Sequence, residues 1–269
     1  MKSRHVPMSF EEFELQPVEP GWKSEYRNGK AHITPSEHVA FARITVAPAP
    51  VNSPLPMNGV TPEDQGALQT CFTTAFQDTI EYCDWDPART AESGRRLIRE
   101  HFEGKRGSAL EASKMAWFHP SQGGDRQVAG AALIVEHKDN SALLDLLFIH
   151  SDYRKQGLAS ALVQGAINHL AHLDKAPLFS RYHLGNIPSR TWHQRFGFVE
   201  EPDLILARLY LATAQHNYLR ARQLGNLPNS DANALLKQCR YWTSQVQSLE
   251  ESLVGGKMEE AFALWRHQA

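Results

Sequence analysis

Between Ser141 and Leu184 the chain changes hydrophobic period twice, and no other feature limits its possible folds so tightly. Ser141 to His150 is apolar and strand-like. From Gly157 onward Leu158, Leu162, Val163, Ala166, Ile167, Leu170 and Leu173 share one helical face, Pro177 ends that helix, and Leu178 to Leu184 reads as a strand again. A helix between two strands predicts that they pair in parallel. Upstream, Lys114 to His119, Val128 to His137 and Ser141 to His150 are separated only by the polar turns Pro120 to Asp125 and Lys138 to Asn140, which predicts an antiparallel meander. The expected fold class is α/β (α+β): a mixed, mostly antiparallel sheet with one parallel pair, flanked by helices.

The flanks add detail. Asn28-Gly29 within Glu25 to Thr34 predicts a β-hairpin with a type I′ turn. Phe41 to Val46 alternates as a strand, and the four prolines between Pro48 and Pro56 predict an extended loop. Thr61, Pro62, Glu63 and Asp64 form a helix start, with Leu68, Phe72, Phe76 and Ile80 as its buried face. A second helix is predicted over Ala91 to Phe102 and a short one over Ser189 to Arg195, closed by Gly197. Leu204 to Leu209 fits either a strand or the start of a helix. From Tyr210 the pattern is helical, with a cap at Asn229-Ser230-Asp231, a stripe through Trp242 and Val246, a break at Gly255-Gly256, and a last helix carrying Phe262, Leu264 and Trp265. The expected division is an N-terminal extension over 1–38, a core domain over 39–208 and a helical C-terminal extension over 209–269.

Composition excludes several classes of function. The 269 residues carry a net charge of −2, so no general affinity for nucleic acid or an acidic membrane is expected. The three cysteines, Cys71, Cys83 and Cys239, form no C-x-x-C pair, and neither a disulfide framework nor a metal site is expected. No apolar leader and no run of about 18 apolar residues is present, which leads to the expectation of a cytoplasmic protein.

The chemistry-bearing run is Leu146 to Leu162. A buried strand ends at Ile149, a tight polar loop carries Arg154, Lys155, Gln156 and Gly157, and a helix opens with the small residues Ala159, Ser160 and Ala161. Unpaired N–H groups and partial positive charge at a helix N-terminus suit a phosphate. Gly157 lets backbone approach a ligand closely. The run contains neither the P-loop pattern nor the G-x-G-x-x-G dinucleotide fingerprint.

Arg154-Lys155-Gln156-Gly157-Leu158-Ala159 resembles the acyl-CoA loop of the GNAT acetyltransferase superfamily: Arg or Gln, two residues, Gly, one residue, then Gly or Ala. Asn186 to Phe198 resembles that family's later segment, matching its Asn, Gly and Phe at Asn186, Gly197 and Phe198. The resemblance spans about 160 residues, Phe41 to Phe198. It implies that the parallel pair splays apart and takes the pantetheine arm of acetyl-CoA between its strands. Backbone groups at Phe148 and Ile149 would bind that arm. The N–H groups of Lys155, Gln156, Gly157, Leu158, Ala159 and Ser160 would hold the pyrophosphate, beside the charge of Arg154. Asn186 would contact the arm or position the following helix.

The resemblance departs from the family at His193, where a Tyr is common and is thought to protonate the CoA thiolate. A histidine can supply a proton near neutrality. Asp145, on the strand leading to the loop, and Glu136, near the end of the strand before it, are the candidate general bases, Asp145 first, with His150 and His183 as lesser candidates. The implied reaction is direct transfer of acetyl from acetyl-CoA to a primary amine, with no metal and no covalent enzyme intermediate. A non-catalytic acyl-CoA sensor on the same fold is the alternative, which the absent Tyr keeps open. The C-terminal helices are candidates for a homo-oligomer contact.

Overall fold

The computed structural model describes residues 2–119, 125–225 and 229–254. Residues 120–124 of the expected turn, the Gly255-Gly256 break and the expected last helix with Phe262, Leu264 and Trp265 lie outside the described residues. In chain order the elements are β1 (Arg4–Pro7), α1 (Phe10–Glu14), β2 (Trp22–Arg27), β3 (Lys30–Pro35), β4 (Val39–Ile44), β5 (Met57–Gly59), α2 (Gln65–Phe76), α3 (Pro87–Phe102), β6 (Lys114–Phe118), β7 (Gln127–Glu136), β8 (Ala142–Ile149), α4 (Leu158–His172), β9 (Leu178–His183), α5 (Ile187–Phe196), β10 (Val199–Glu200), α6 (Leu204–Leu224) and α7 (Asn229–Val254). No helix among the described residues is long and apolar enough to cross a membrane.

Two compact units emerge from this chain. The first holds Phe41–Tyr182 and Asn186–Glu200; the second holds Ser3–Ala40, His183–Gly185 and the described residues from Glu201 onward.

The first unit is built on a sheet ordered β10-β4-β9-β8-β7-β6-β5. The strands β5, β6, β7 and β8 pair antiparallel in sequence, and β8 pairs parallel with β9. This is the mixed sheet that the change of period predicts. Its core gathers Leu68 and Phe72 of α2, Ile98 of α3, Leu133 of β7 and Phe148 of β8. The Phe72 ring sits 4.4 Å from Phe76, 5.8 Å from Tyr82 and 5.6 Å from Phe148, centroid to centroid. The helix α4 packs on β6, β7 and β8 through Leu158, Leu162, Val163, Ala166, Ile167 and Leu170, the stripe read from the sequence. Leu173 falls outside that stripe: the helix ends at His172, and Leu173 is its exposed C-cap.

Three local readings change. Ile80 is buried, but α2 stops at Phe76 and Ile80 opens a separate 3-10 turn over Ile80–Tyr82. The helix α3 begins at Pro87 rather than Ala91, because the Asp86 side chain accepts from the Arg89 N–H at 2.7 Å and Pro87 fills the first helical position. Leu204 starts a helix, capped by Asp203 accepting from the Leu206 N–H at 2.8 Å.

In the second unit β1, β3 and β2 form a three-stranded sheet, with the β2–β3 hairpin turning at Asn28 (φ 52°) and Gly29 (φ 71°) as a type I′ turn requires. The segment after α1 is held on α6. The Asn217 amide accepts from the Val18 N–H at 3.1 Å and donates to the Val18 carbonyl at 3.2 Å, and Arg220 donates to the Leu15 carbonyl. The helices α6 and α7 pair, with Tyr210 and Trp242 rings 4.5 Å apart.

Two glycines test the packing of the first unit with opposite signs. A Cβ at Gly94 of α3 would lie 2.6 Å from the buried Phe72 ring, whereas a Cβ at Gly66 of α2 meets nothing within 4 Å. Gly94→Ala is expected to lose about 1–3 kcal/mol despite its better helix propensity. Gly66→Ala is expected to gain up to about 1 kcal/mol. Urea unfolding midpoints of the two variants check both signs.

Candidate active site

The site begins with a strand that is one residue too long for its neighbour. In the β7–β8 ladder Leu133 faces Leu146 but Ile134 faces Leu144, so Asp145 is an extra residue in β8. Such a bulge bends and twists the strand that carries it. On the other side, β8 pairs with β9 at Ala142↔Leu178, Leu143↔Phe179 and Leu144↔Ser180, and the pairing stops there although β8 runs on to Ile149 and β9 to His183. The two strands therefore part at the bulge, leaving the β8 edge from Asp145 to Ile149 without a strand partner.

Backbone direction along that edge follows from one hydrogen bond. The His150 N–H donates to the Ala129 carbonyl at 2.8 Å. Backbone groups alternate sides along an antiparallel ladder, so those of Phe148, opposite Ala131, also turn to β7. Those of Leu147 and Ile149 turn to the open edge. Of the two positions expected to hold a pantetheine arm, Ile149 has free backbone there; Phe148 contributes its ring to the core below. Leu147, which the family motif does not mark, joins Ile149.

The loop after β8 forms a cradle. Ser151–Tyr153 is a 3-10 turn capped by His150, whose Nδ1 accepts from the Asp152 N–H at 3.3 Å. Lys155 (φ 62°) and Gly157 (φ 83°) both adopt the left-handed conformation. Gly157 is the N-cap of α4 and has no side chain to satisfy the first-turn N–H groups; the first helical bond runs from the Ala161 N–H to its carbonyl at 3.0 Å. The N–H groups of Leu158, Ala159 and Ser160 precede that bond and point out of the helix end. A Cβ at Gly157 would meet nothing within 4 Å, so the space before these groups is open. Uncapped donors and the positive end of a helix dipole suit an anion. Lys155 and Gln156 are exposed beside it, and Gln156 donates to the Asp152 carbonyl at 2.7 Å. Arg154 instead donates to the Ala75 carbonyl in the last turn of α2, fixing the loop to that helix.

Asn186 opens α5. Its side-chain oxygen accepts from the Ser189 N–H at 3.0 Å, and its amide donates to Glu81 Oε1 at 2.7 Å. The other Glu81 oxygen is buried with no hydrogen-bond partner among the described residues. No motif or spacing marks Glu81 in the sequence; only the Asn186 contact reveals it.

His193 is 3% exposed. Its Nδ1 lies 2.8 Å from the Ser189 carbonyl, which can only accept, so Nδ1 carries the proton. Its Nε2, 2.8 Å from Ser180 Oγ, is then the acceptor of the serine proton. Burial pushes its pKa down to about 4, and the ring packs on Tyr182 at 4.6 Å and Phe198 at 5.0 Å. A general acid needs a proton to give, and near neutrality the Nε2 of this ring has none. The adjacent Trp192 donates to Ser160 Oγ at 3.1 Å, joining α5 to the first turn of α4.

Asp145 is held by Arg106 through two hydrogen bonds of 2.7 Å, one to each carboxylate oxygen. Around this pair stand His101 Nδ1 at 3.9 Å from Asp145 and Arg181 at 3.8 Å from Asp145, with Glu100 3.9 Å from Arg106. Burial lowers the pKa of His101 and of Arg181. Glu136 stands at the opposite, closed end of the parallel pair, opposite Ala142, and binds Lys175 at 2.6 Å. His183 belongs to the second unit, where its Nε2 lies 2.6 Å from the Ser36 carbonyl.

Residues 78–198, which contain the splayed pair, the cradle and α5, match the family model described as Acetyltransferase (GNAT) family. Residues 78–198 are a GNAT acetyltransferase domain. Solved structures similar to this chain include a GCN5-related N-acetyltransferase from Sphaerobacter thermophilus (17% identity, 61% of this chain and 48% of that one, TM-score 0.44). They also include a GNAT acetyltransferase from Colwellia psychrerythraea (13%, 60% and 52%, 0.42). A third is a ribosomal-protein alanine N-acetyltransferase from Escherichia coli (18%, 55% and 79%, 0.38). The chain spans about half the length of the first two. No curated protein matches it.

The buried His193 of the GNAT domain gives a pH signature. Its folded pKa of about 4 lies below the ordinary 6.5, so the unfolded chain takes up this proton first. Stability from this group is full above pH ~6.5 and falls by about 3 kcal/mol as pH drops toward 4. In His193→Gln that stretch of the pH dependence is expected to flatten, as read from urea midpoints at a series of pH values.

Proposed function

We propose that this GNAT domain moves an acetyl group from acetyl-CoA to a primary amine. One observation carries the reading: the unpaired β8 edge leads directly into an uncapped helix N-terminus with open space before Gly157. An extended amide-bearing arm that ends in a pyrophosphate fits that sequence of groups. The Leu147 and Ile149 backbone would bind the arm, and the Leu158, Ala159 and Ser160 N–H groups the phosphates. Asn186 donates to Glu81 and so orients it. Bound acetyl-CoA supplies an activated thioester.

The remaining roles fall to the chain's own side chains. Asp145 has both oxygens committed to Arg106, so we assign it to holding the bulge and not to taking the amine proton. Glu81 has an oxygen free of partners among the described residues, and is the carboxylate we assign as the base, reached directly or through one water. His193 is assigned a positioning role: it holds Ser180 and α5, and the thiolate takes its proton from solvent. That same lack of an acid favours the second reading, an acyl-CoA sensor without turnover.

Two measurements separate these readings. Acetyl-CoA at 100 times its dissociation constant is expected to raise stability by about 2.7 kcal/mol. Gly157→Asp, which puts a carboxylate where the phosphate would sit, is expected to remove that gain; a thermal shift series reads both. If the gain appears and no amine is ever acetylated, the sensor reading stands. For turnover, Glu81→Gln is expected to lower kcat/KM by about 100-fold while the acetyl-CoA shift persists.

A further inference from the structure

The ion pair of Arg181 with Asp145 in the first unit is long, at 3.8 Å. Arg181 lies on β9 immediately after Ser180, the last residue paired with β8, just as Asp145 follows Leu144. The two side chains therefore flank the point where the strands part. Ser180 and Tyr182 both turn to His193 of α5. Strand residues alternate faces, so Arg181 between them projects from the opposite face, where Asp145 and Arg106 stand at the end of α3. The cradle lies on the α5 side, since Trp192 of α5 binds Ser160 in the first turn of α4. Whatever meets Arg181 approaches from the side of the sheet away from the cradle.

Asp145 cannot satisfy Arg181. Both carboxylate oxygens already accept from Arg106 at 2.7 Å, and the closest Arg181 approach to them is 3.8 Å, beyond hydrogen-bond distance. Arg181 donates no hydrogen bond from its side chain to any described residue, and 39% of that side chain is exposed. A guanidinium carries five donors and cannot shed its charge, so one that faces solvent with its donors unengaged is placed to take up an anion. A second polar atom in the same cluster is also open: His101 Nδ1, on a side chain 1% exposed, has no hydrogen-bond partner among the described residues and lies 3.9 Å from Asp145.

We propose that Arg181 recognises a carboxylate on the substrate portion that enters opposite the CoA cradle, so that this domain selects a carboxylated acceptor or a carboxylated acyl chain. The proposal rests on the acetyltransferase reading and narrows it to a substrate class. A planar guanidinium would bind the carboxylate in a two-point contact. The Asp145–Arg106 pair beside it keeps the local charge balanced before the substrate arrives.

Calorimetry on the full chain tests this with matched ligands. N-acetyl-L-alanine is compared with N-ethylacetamide, with and without CoA, for a carboxylate on the acceptor. Succinyl-CoA is compared with butyryl-CoA for one on the acyl chain. In one of the two pairs the carboxylated member is expected to bind about tenfold tighter or more. Arg181→Gln should bring that ratio close to one, and Arg181→Lys should leave an intermediate value. A ratio near one in both pairs for the unaltered chain overturns the proposal, and so does a ratio that survives Arg181→Gln. Acetyl-CoA binding by Arg181→Gln, measured in parallel, shows that the variant is folded. If acetyl-CoA binds neither form, the acetyltransferase reading fails on its own, while the N-acetylalanine pair without CoA still reports on Arg181.

Discussion

Asp145 is an extra residue in β8, and its carboxylate is clamped by Arg106. A bulge bends its strand, and a bent β8 cannot follow β9 past Leu144 and Ser180. The open edge, its free backbone groups and the placement of Arg181 all follow from that parting. A carboxylate this buried needs a full partner, and the two-point contact with Arg106 supplies one. The pair is therefore better understood as the fastening of the groove than as part of the chemistry within it.

The groove has two differently equipped sides. On the α5 side a helix N-terminus without a capping side chain offers backbone donors, and Trp192 braces it through Ser160. On the α3 side stand charged and polar side chains: Arg106, Arg181, His101 and Asp145. Backbone donors suit a ligand part that never varies, whereas side chains are free to define a particular one. The second unit is fastened differently, by Asn217 mimicking a backbone partner for Val18 on the surface of α6.

Much of this was legible in the residues. The change from strand period to helix period and back between Ser141 and Leu184 dictated the parallel pair, and the short turns before it dictated the meander. The left-handed turn at Asn28-Gly29 and the open N-cap at Gly157 were equally readable, because they depend on residues adjacent in the chain. Helix starts were less so. The stripe in α3 drew attention to Ala91, while the chain had already entered the helix at the Asp86-Pro87 cap.

What the sequence determined by itself was local: element type, pairing direction, and the cradle built from consecutive residues. The roles of the polar side chains were decided only by tertiary structure. His193 occupies the position where the resemblance expects a proton donor, yet burial keeps it neutral and the Ser189 carbonyl and Ser180 hydroxyl engage both its nitrogens. Asp145 and Arg106 are 39 residues apart, and Asn186 and Glu81 105 residues apart. Hydrogen bonds and burial set the state of an ionisable group. Partners so distant along the chain have no signature in spacing, so only the packed sheet could show which carboxylate is bound and which has an oxygen left open.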